Sequence, residues 1–111
     1  MNKQIEQYRD YLIEDVFSQI AERITSRAMF GGVSLYLDGR IFALIVSSGE
    51  AYLKVGDNNR ADFEVKGSKP FMYDGHKNKK PAAMPYWLMP EELTEDKNLA
   101  SDWAETAAEN S

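Results

Sequence analysis

The chain has 111 residues, of which 43% are hydrophobic and 28% charged, and its net charge is −5 at pH 7. A chain of this size is expected to form one domain, 1–111, with enough buried surface to fold without staples, and its composition argues against disorder. With no cysteine and one histidine, His76, disulfide frameworks, thiolate zinc sites and imidazole-rich metal centres are excluded, and no cofactor is expected.

The N-terminus, Met1-Asn2-Lys3-Gln4-Ile5-Glu6, has no apolar core after its basic residue, so it does not resemble a signal peptide. Residues 3–24 place Ile5, Tyr8, Leu12, Val16, Ile20 and Ile24 three or four apart, with Ile13 and Phe17 widening the stripe. That spacing predicts an amphipathic α-helix. Its polar side is rich in acids (Glu6, Asp10, Glu14, Glu22), whereas a membrane-surface helix favours Lys and Arg. The helix is therefore expected to pack on a sheet of its own domain.

From Arg27 the period changes to two. Val33, Leu35 and Leu37 alternate with Ser34, Tyr36 and Asp38, which predicts a strand. Asp38-Gly39 suits the positive φ angles of a two-residue hairpin turn. Ile41–Val46, the longest apolar run, predicts a central strand covered on both faces. A turn at Ser47–Glu50 and a third strand at Ala51–Val55 complete an antiparallel three-stranded meander. Asn58–Glu64 is expected to form a short helix with Ala61 and Phe63 inward, closed by Gly67.

Pro70–Tyr73 predicts a fourth strand and Gly75–Ala83 a polar, lysine-rich loop. Met84–Met89 predicts a fifth strand, which its proline assigns to a sheet edge or to the strand's first residues. Pro90-Glu91-Glu92 opens helical structure, where proline and acids suit a first turn. In the final helix Leu99, Trp103 and Ala107, with Ala100 and Ala104 beside them, are expected to be buried. The fold class is thus α+β: N-terminal helix, meander, short helix, two further strands and C-terminal helix.

Chemistry is sparse. Catalysis by His76 would require a partner such as Ser68 or Asp74 within about 3 Å, and a lone histidine beside Gly75, Lys77, Asn78 and Lys79 is expected to be a solvated loop residue. Gly31-Gly32 lacks the further glycines and the following helix of a phosphate-binding loop, so it is expected to permit a bulge, a bend or a close backbone approach. Adjacent carboxylates at Glu14-Asp15, Glu91-Glu92 and Glu95-Asp96 do not face one another on a helix and make no acid/base dyad.

Net charge is −3 over residues 1–65, +4 over 66–89 and −6 over 90–111. Lys77, Lys79 and Lys80 near Phe71, Tyr73 and Tyr86 give one route to nucleic acid, by charge and stacking. The acidic C-terminal segment opposes it, and nucleic acid is the alternative rather than the leading partner. The strand aromatics Tyr36, Tyr52 and Tyr86 are the first candidates for a protein-interaction surface.

The succession Met29-Phe30-Gly31-Gly32, Tyr36-Leu37-Asp38-Gly39-Arg40 with Phe42, Tyr52-Leu53-Lys54-Val55, Pro70-Phe71-Met72-Tyr73 and Tyr86-Trp87-x-x-Pro90-Glu91-Glu92 resembles the N-terminal domain of the TfoX/Sxy competence regulators. The resemblance covers nearly the whole chain. It implies an α+β domain of the secretion-chaperone-like class and a bacterial protein tied to transcriptional control of competence. With no export signal the cytoplasm is expected, and the sparse chemistry together with the resemblance leads to the expectation of a non-enzymatic domain. The implied partners are proteins, such as transcription machinery or a second copy in a homodimer. The full-length regulators add a helical second domain, and this chain is expected to be a stand-alone relative of the first. The resemblance supplies no catalytic residues.

Overall fold

The structure is a computed structural model that describes residues 2–73 and 82–111. His76, Lys77, Lys79 and Lys80, and most of the expected lysine-rich loop, lie outside the described residues.

Helix α1 spans Lys3–Tyr11, and its first turn is capped by the Asn2 side chain, which accepts from the Gln4 N–H at 2.7 Å. The helical path then changes type: Leu12–Val16 is a π-turn and Ser18–Arg23 a 3-10 helix. The wider turn is closed by the Phe17 N–H donating to the Leu12 carbonyl at 2.7 Å. The expected stripe is confirmed at Ile5, Leu12, Val16, Phe17 and Ile20, all buried. Ile24, expected as the last helical contact, instead begins a strand, β1 (Ile24–Met29). Ile24 and Thr25 are β-branched and Ser26 is a weak helix former, so the run tolerates extended backbone, and the pairing of Ile24 with Leu37 decides for it.

β1 adds a strand to the expected meander. β2 (Gly32–Leu37), β3 (Arg40–Ile45), β4 (Ala51–Lys54), β5 (Pro70–Tyr73) and β6 (Ala82–Leu88) complete an antiparallel sheet of order β1-β2-β3-β4-β6-β5. Two two-residue turns flank β2, one at Phe30-Gly31 and one at Asp38-Gly39, with Met29 paired to Gly32 and Leu37 to Arg40. All four turn residues have positive φ, +46° and +81° in the first and +51° and +85° in the second. This is the twist that matches paired strands.

Contrary to the expectation from its proline, β6 is an interior strand. Trp87 pairs with Pro70 and Ala83 with Met72, so the ladder to β5 shifts register across Pro85. A missing N–H costs little inside such a bulge, and the Pro85 carbonyl still accepts from the Val55 N–H at 2.9 Å.

One face of the sheet is covered by helices. Val33, Leu35, Leu37, Ala43, Ile45 and Leu53 meet the α1 path and α3 (Lys97–Ala108) there. A second bulge, where Leu35 pairs with Ala43 but Tyr36 with Ile41, leaves Phe42 as the extra residue. It turns the ring inward, fully buried and edge-on to Phe17 with centroids 5.4 Å apart. Each such large apolar side chain removed from water contributes about 1.5–3 kcal/mol.

Against this face α3 turns its small side chains, Ala100, Ala104, Ala107 and Ala108, which are buried. Leu99 and Trp103, expected to be buried, are only partly so and flank the stripe. Small residues let the helix axis approach the sheet, and the larger two then pack at its sides. Trp103 reaches Phe63 with centroids 4.6 Å apart. Phe63 belongs to α2 (Arg60–Val65), where Ala61, expected to face inward, is exposed. Gly67 closes α2 as anticipated, at φ +75°, donating to the Glu64 carbonyl while Ser68 donates to that of Phe63, each at 3.0 Å.

The end of α3 is tied to the β4–α2 connection. Asn110 Nδ2 donates to Asn58 Oδ1 at 2.9 Å, and Asn59 Oδ1 accepts from the Gly56 N–H at 2.8 Å. A Cβ on Gly56 would come within 2.1 Å of the Asn110 side chain.

Candidate interaction surface

The other face of the sheet carries a second apolar cluster with no helix among the described residues packed on it. Leu44, Tyr52 and Tyr86 are its buried centre, and Met29, Ile41, Val46, Phe71 and Met84 surround them partly buried. The register explains the gathering. Leu44 pairs with Tyr52 and with Ser34, and Lys54 with Tyr86, so alternate residues from four strands share this face.

The three tyrosines singled out from sequence lie on this one face. Tyr36 is half-buried, within reach of Ser34, whose Oγ is 3.2 Å from the Tyr36 hydroxyl and 3.3 Å from the Arg27 carbonyl. Tyr52 packs edge-on against Phe71 with centroids 5.1 Å apart. Burial, and secondarily the Glu50 carboxylate, push the Tyr52 hydroxyl above the ordinary tyrosine range. Burial raises Tyr86 in the same way, with Tyr36 adding to it. The Lys54 ammonium sits 5.9 Å from the Tyr86 ring centroid, a cation–π contact. Tyr52 and Tyr86 thus form the floor of this face, and the residues around them form its outer surface.

Those surrounding residues form an apolar groove of about 410 Å³ lined by Met29, Phe30, Leu44, Val46, Phe71 and Met84. Phe30 stands at its rim, 97% exposed, on the tip of the β1–β2 hairpin. Two local rules are broken there at once. A large aromatic ring lies in water, and a bulky L-residue occupies left-handed backbone that asparagine or glycine adopts more readily. Gly31 beside it is suited to its +81°. Gly32 is required by close approach, since a Cβ there would lie 2.1 Å from the Ile45 carbonyl oxygen. That agrees with the backbone role expected for this glycine pair.

In the sequence Phe30 stands out only as part of the Met29-Phe30-Gly31-Gly32 motif, and its exposure was not expected. The available signal was the Phe-Gly dipeptide at the spacing of a two-residue turn, where the first position is a poor place to bury a side chain.

The opposite end of β2 has different chemistry. Arg23 Nε donates to Asp38 Oδ2 at 3.0 Å and Arg23 Nη1 to Glu105 Oε1 at 2.9 Å, joining the 3-10 helix, the second turn and α3. The guanidinium bond holds the Asp38 carboxyl below its usual range. Ser68, weighed as a partner of His76, instead donates its hydroxyl to the Leu88 carbonyl at 2.6 Å. Among the described residues no three or more acidic or histidine side chains gather as a metal site, and no helix is long and apolar enough to cross a membrane.

No curated protein matches this sequence. A family model does: the TfoX N-terminal domain, over residues 15–111. The match takes in every strand, both later helices and the whole apolar groove, so the chain belongs to the TfoX N-terminal domain family.

Proposed function

We propose that this protein is a non-enzymatic interaction domain of the bacterial cytoplasm that acts through protein contacts in transcriptional regulation. Phe30 carries the reading: an almost fully exposed aromatic in left-handed backbone, at the rim of an apolar groove on the face of the sheet that no helix among the described residues covers. Strain and exposed apolar surface that do not serve the monomer are characteristic of binding sites. An aromatic anchor beside a pocket is also the usual composition of an interface centre. The family assignment supports the regulatory part of the proposal.

The test is capture from bacterial lysate with and without nuclease treatment, comparing the wild-type chain with Phe30→Asn and reading the bound proteins by mass spectrometry. Transcription proteins recovered by the wild type and lost with the variant are the expected result. Equal recovery by both chains would sink the role of Phe30. Binding that vanishes on nuclease treatment would replace the proposal with nucleic-acid contact through Lys77, Lys79 and Lys80.

A further inference from the structure

The two borders of the sheet are built differently. β5 has four residues, begins with proline and is bulged against its neighbour. β1 has six residues, no proline and a single charge, Arg27. Natural sheets blunt their open edges with proline, bulges, lysines or shortness, and β1 has almost none of these guards.

Its hydrogen-bonding direction can be derived. The two-residue turn makes Met29 and Gly32 exchange both backbone bonds, and the pattern then alternates along the ladder through Arg27 with Ser34 and Thr25 with Tyr36. The Asp38 N–H donating to the Arg23 carbonyl at 3.0 Å keeps the same alternation. The N–H and C=O groups of Ile24, Ser26 and Ala28 therefore point away from β2. The Ile24 N–H closes the 3-10 helix by donating to the Ala21 carbonyl, whereas among the described residues no group bonds to the outward N–H and C=O of Ser26 and Ala28 or to the Ile24 C=O, and Ser26 and Ala28 are exposed.

We infer that this edge pairs antiparallel with the same strand of a second copy, Ser26 opposite Ser26 and Ile24 opposite Ala28. The inference rests on the reading of this chain as a contact module and identifies one of its partners as itself. A two-fold axis through the Ser26 pair satisfies the N–H and C=O of Ser26 in both copies, lets each Ala28 N–H donate to the Ile24 carbonyl of the other copy, and keeps each side chain on its own face of a continuous sheet. It also sets Arg27 opposite Thr25. Moving the axis to Arg27 would put two guanidinium groups directly across from each other, which is unfavourable. Charge favours the same border: β1 has no carboxylate, whereas the helices carry most of the acids of a chain whose net charge is −5. Two acidic copies meet there with least repulsion. Pairing of one short strand buries less than the roughly 1,200 Å² of a standard stable interface, so the dimer is weak and concentration-dependent.

Sedimentation velocity over a wide concentration range tests this, using the full chain, Ser26→Lys, Ser26→Glu and an equimolar mixture of the two variants. Ser26 is exposed, so both variants keep the fold, which circular dichroism checks. The wild type should move from monomer toward twice that mass as concentration rises. Each variant alone should stay monomeric, because like charges face each other across the axis, and the mixture should associate again. A wild type that stays monomeric, a lysine variant that associates like the wild type, or a mixture that stays monomeric would each overturn the inference. Self-association is read without any lysate partner. Its failure with Phe30-dependent capture intact removes only this inference, and the reverse result removes only the proposed function.

Discussion

The two turns at the ends of β2 have nearly the same backbone and opposite side-chain chemistry. Asp38-Gly39 fills its left-handed positions with residues suited to them, and Arg23 anchors the aspartate to the helices. Phe30-Gly31 makes the same bend with an exposed phenylalanine at the position where aspartate stands in the other. One turn is filled by residues that its backbone favours, and the other places an apolar ring at the rim of a groove in backbone that disfavours it. On the proposed reading, the difference places the contact on the hairpin tip rather than in the backbone that the two bends share.

The strongest way to break the comparison is to disturb the backbone beneath the first turn. Gly32→Ala would drive a methyl into the Ile45 carbonyl, and the forced shift should cost about 1–3 kcal/mol, read as a lower denaturant midpoint. Phe30→Asn should sharpen it. Asparagine tolerates the left-handed backbone, so the variant is expected to gain up to about 1 kcal/mol while losing partner capture. A loss of stability would show that the exposed ring supports the monomer after all.

The smallest effect concerns the second turn. Asp38 has a depressed carboxyl in the fold, so its contribution is present above the ordinary carboxylate range and is lost as pH falls through the folded value. Both groups are solvent-exposed, so the contribution is salt-screened and modest. Denaturant midpoints followed from neutral to acidic pH should fall more steeply in the wild type than in Arg23→Gln, and parallel curves would remove the pair from the account.

Much of the fold was legible in sequence because each signal was local. The Asp38-Gly39 turn, the alternation of Val33, Leu35 and Leu37, the stripe from Ile5 to Ile20 and the Gly67 stop all depend on residues within a turn or two. What was missed depends on partners far away in sequence. Ile24 fits helical spacing as well as it fits a strand, and only pairing with Leu37 decides. Pro85 argues for an edge until Val55 and the bulge against β5 give it an interior place. The candidate surface was half legible. Tyr36, Tyr52 and Tyr86 were recognisable as strand aromatics, but which face they share follows from strand order, and burial of Tyr52 and Tyr86 moves attention to Phe30 at the rim.

The asparagine knot at the end of α3 gives the chain's tail a reach beyond its own helix. Helix ends ordinarily fray without consequence for the rest of a domain. Here Asn110 lies over Gly56 and bonds to Asn58, while Asn59 holds the Gly56 N–H and the Lys54 carbonyl. Opening the last turn of α3 therefore exposes the loop that leaves the middle of the sheet. The two segments should unzip as a single cooperative unit in hydrogen exchange, although more than fifty positions separate them along the chain.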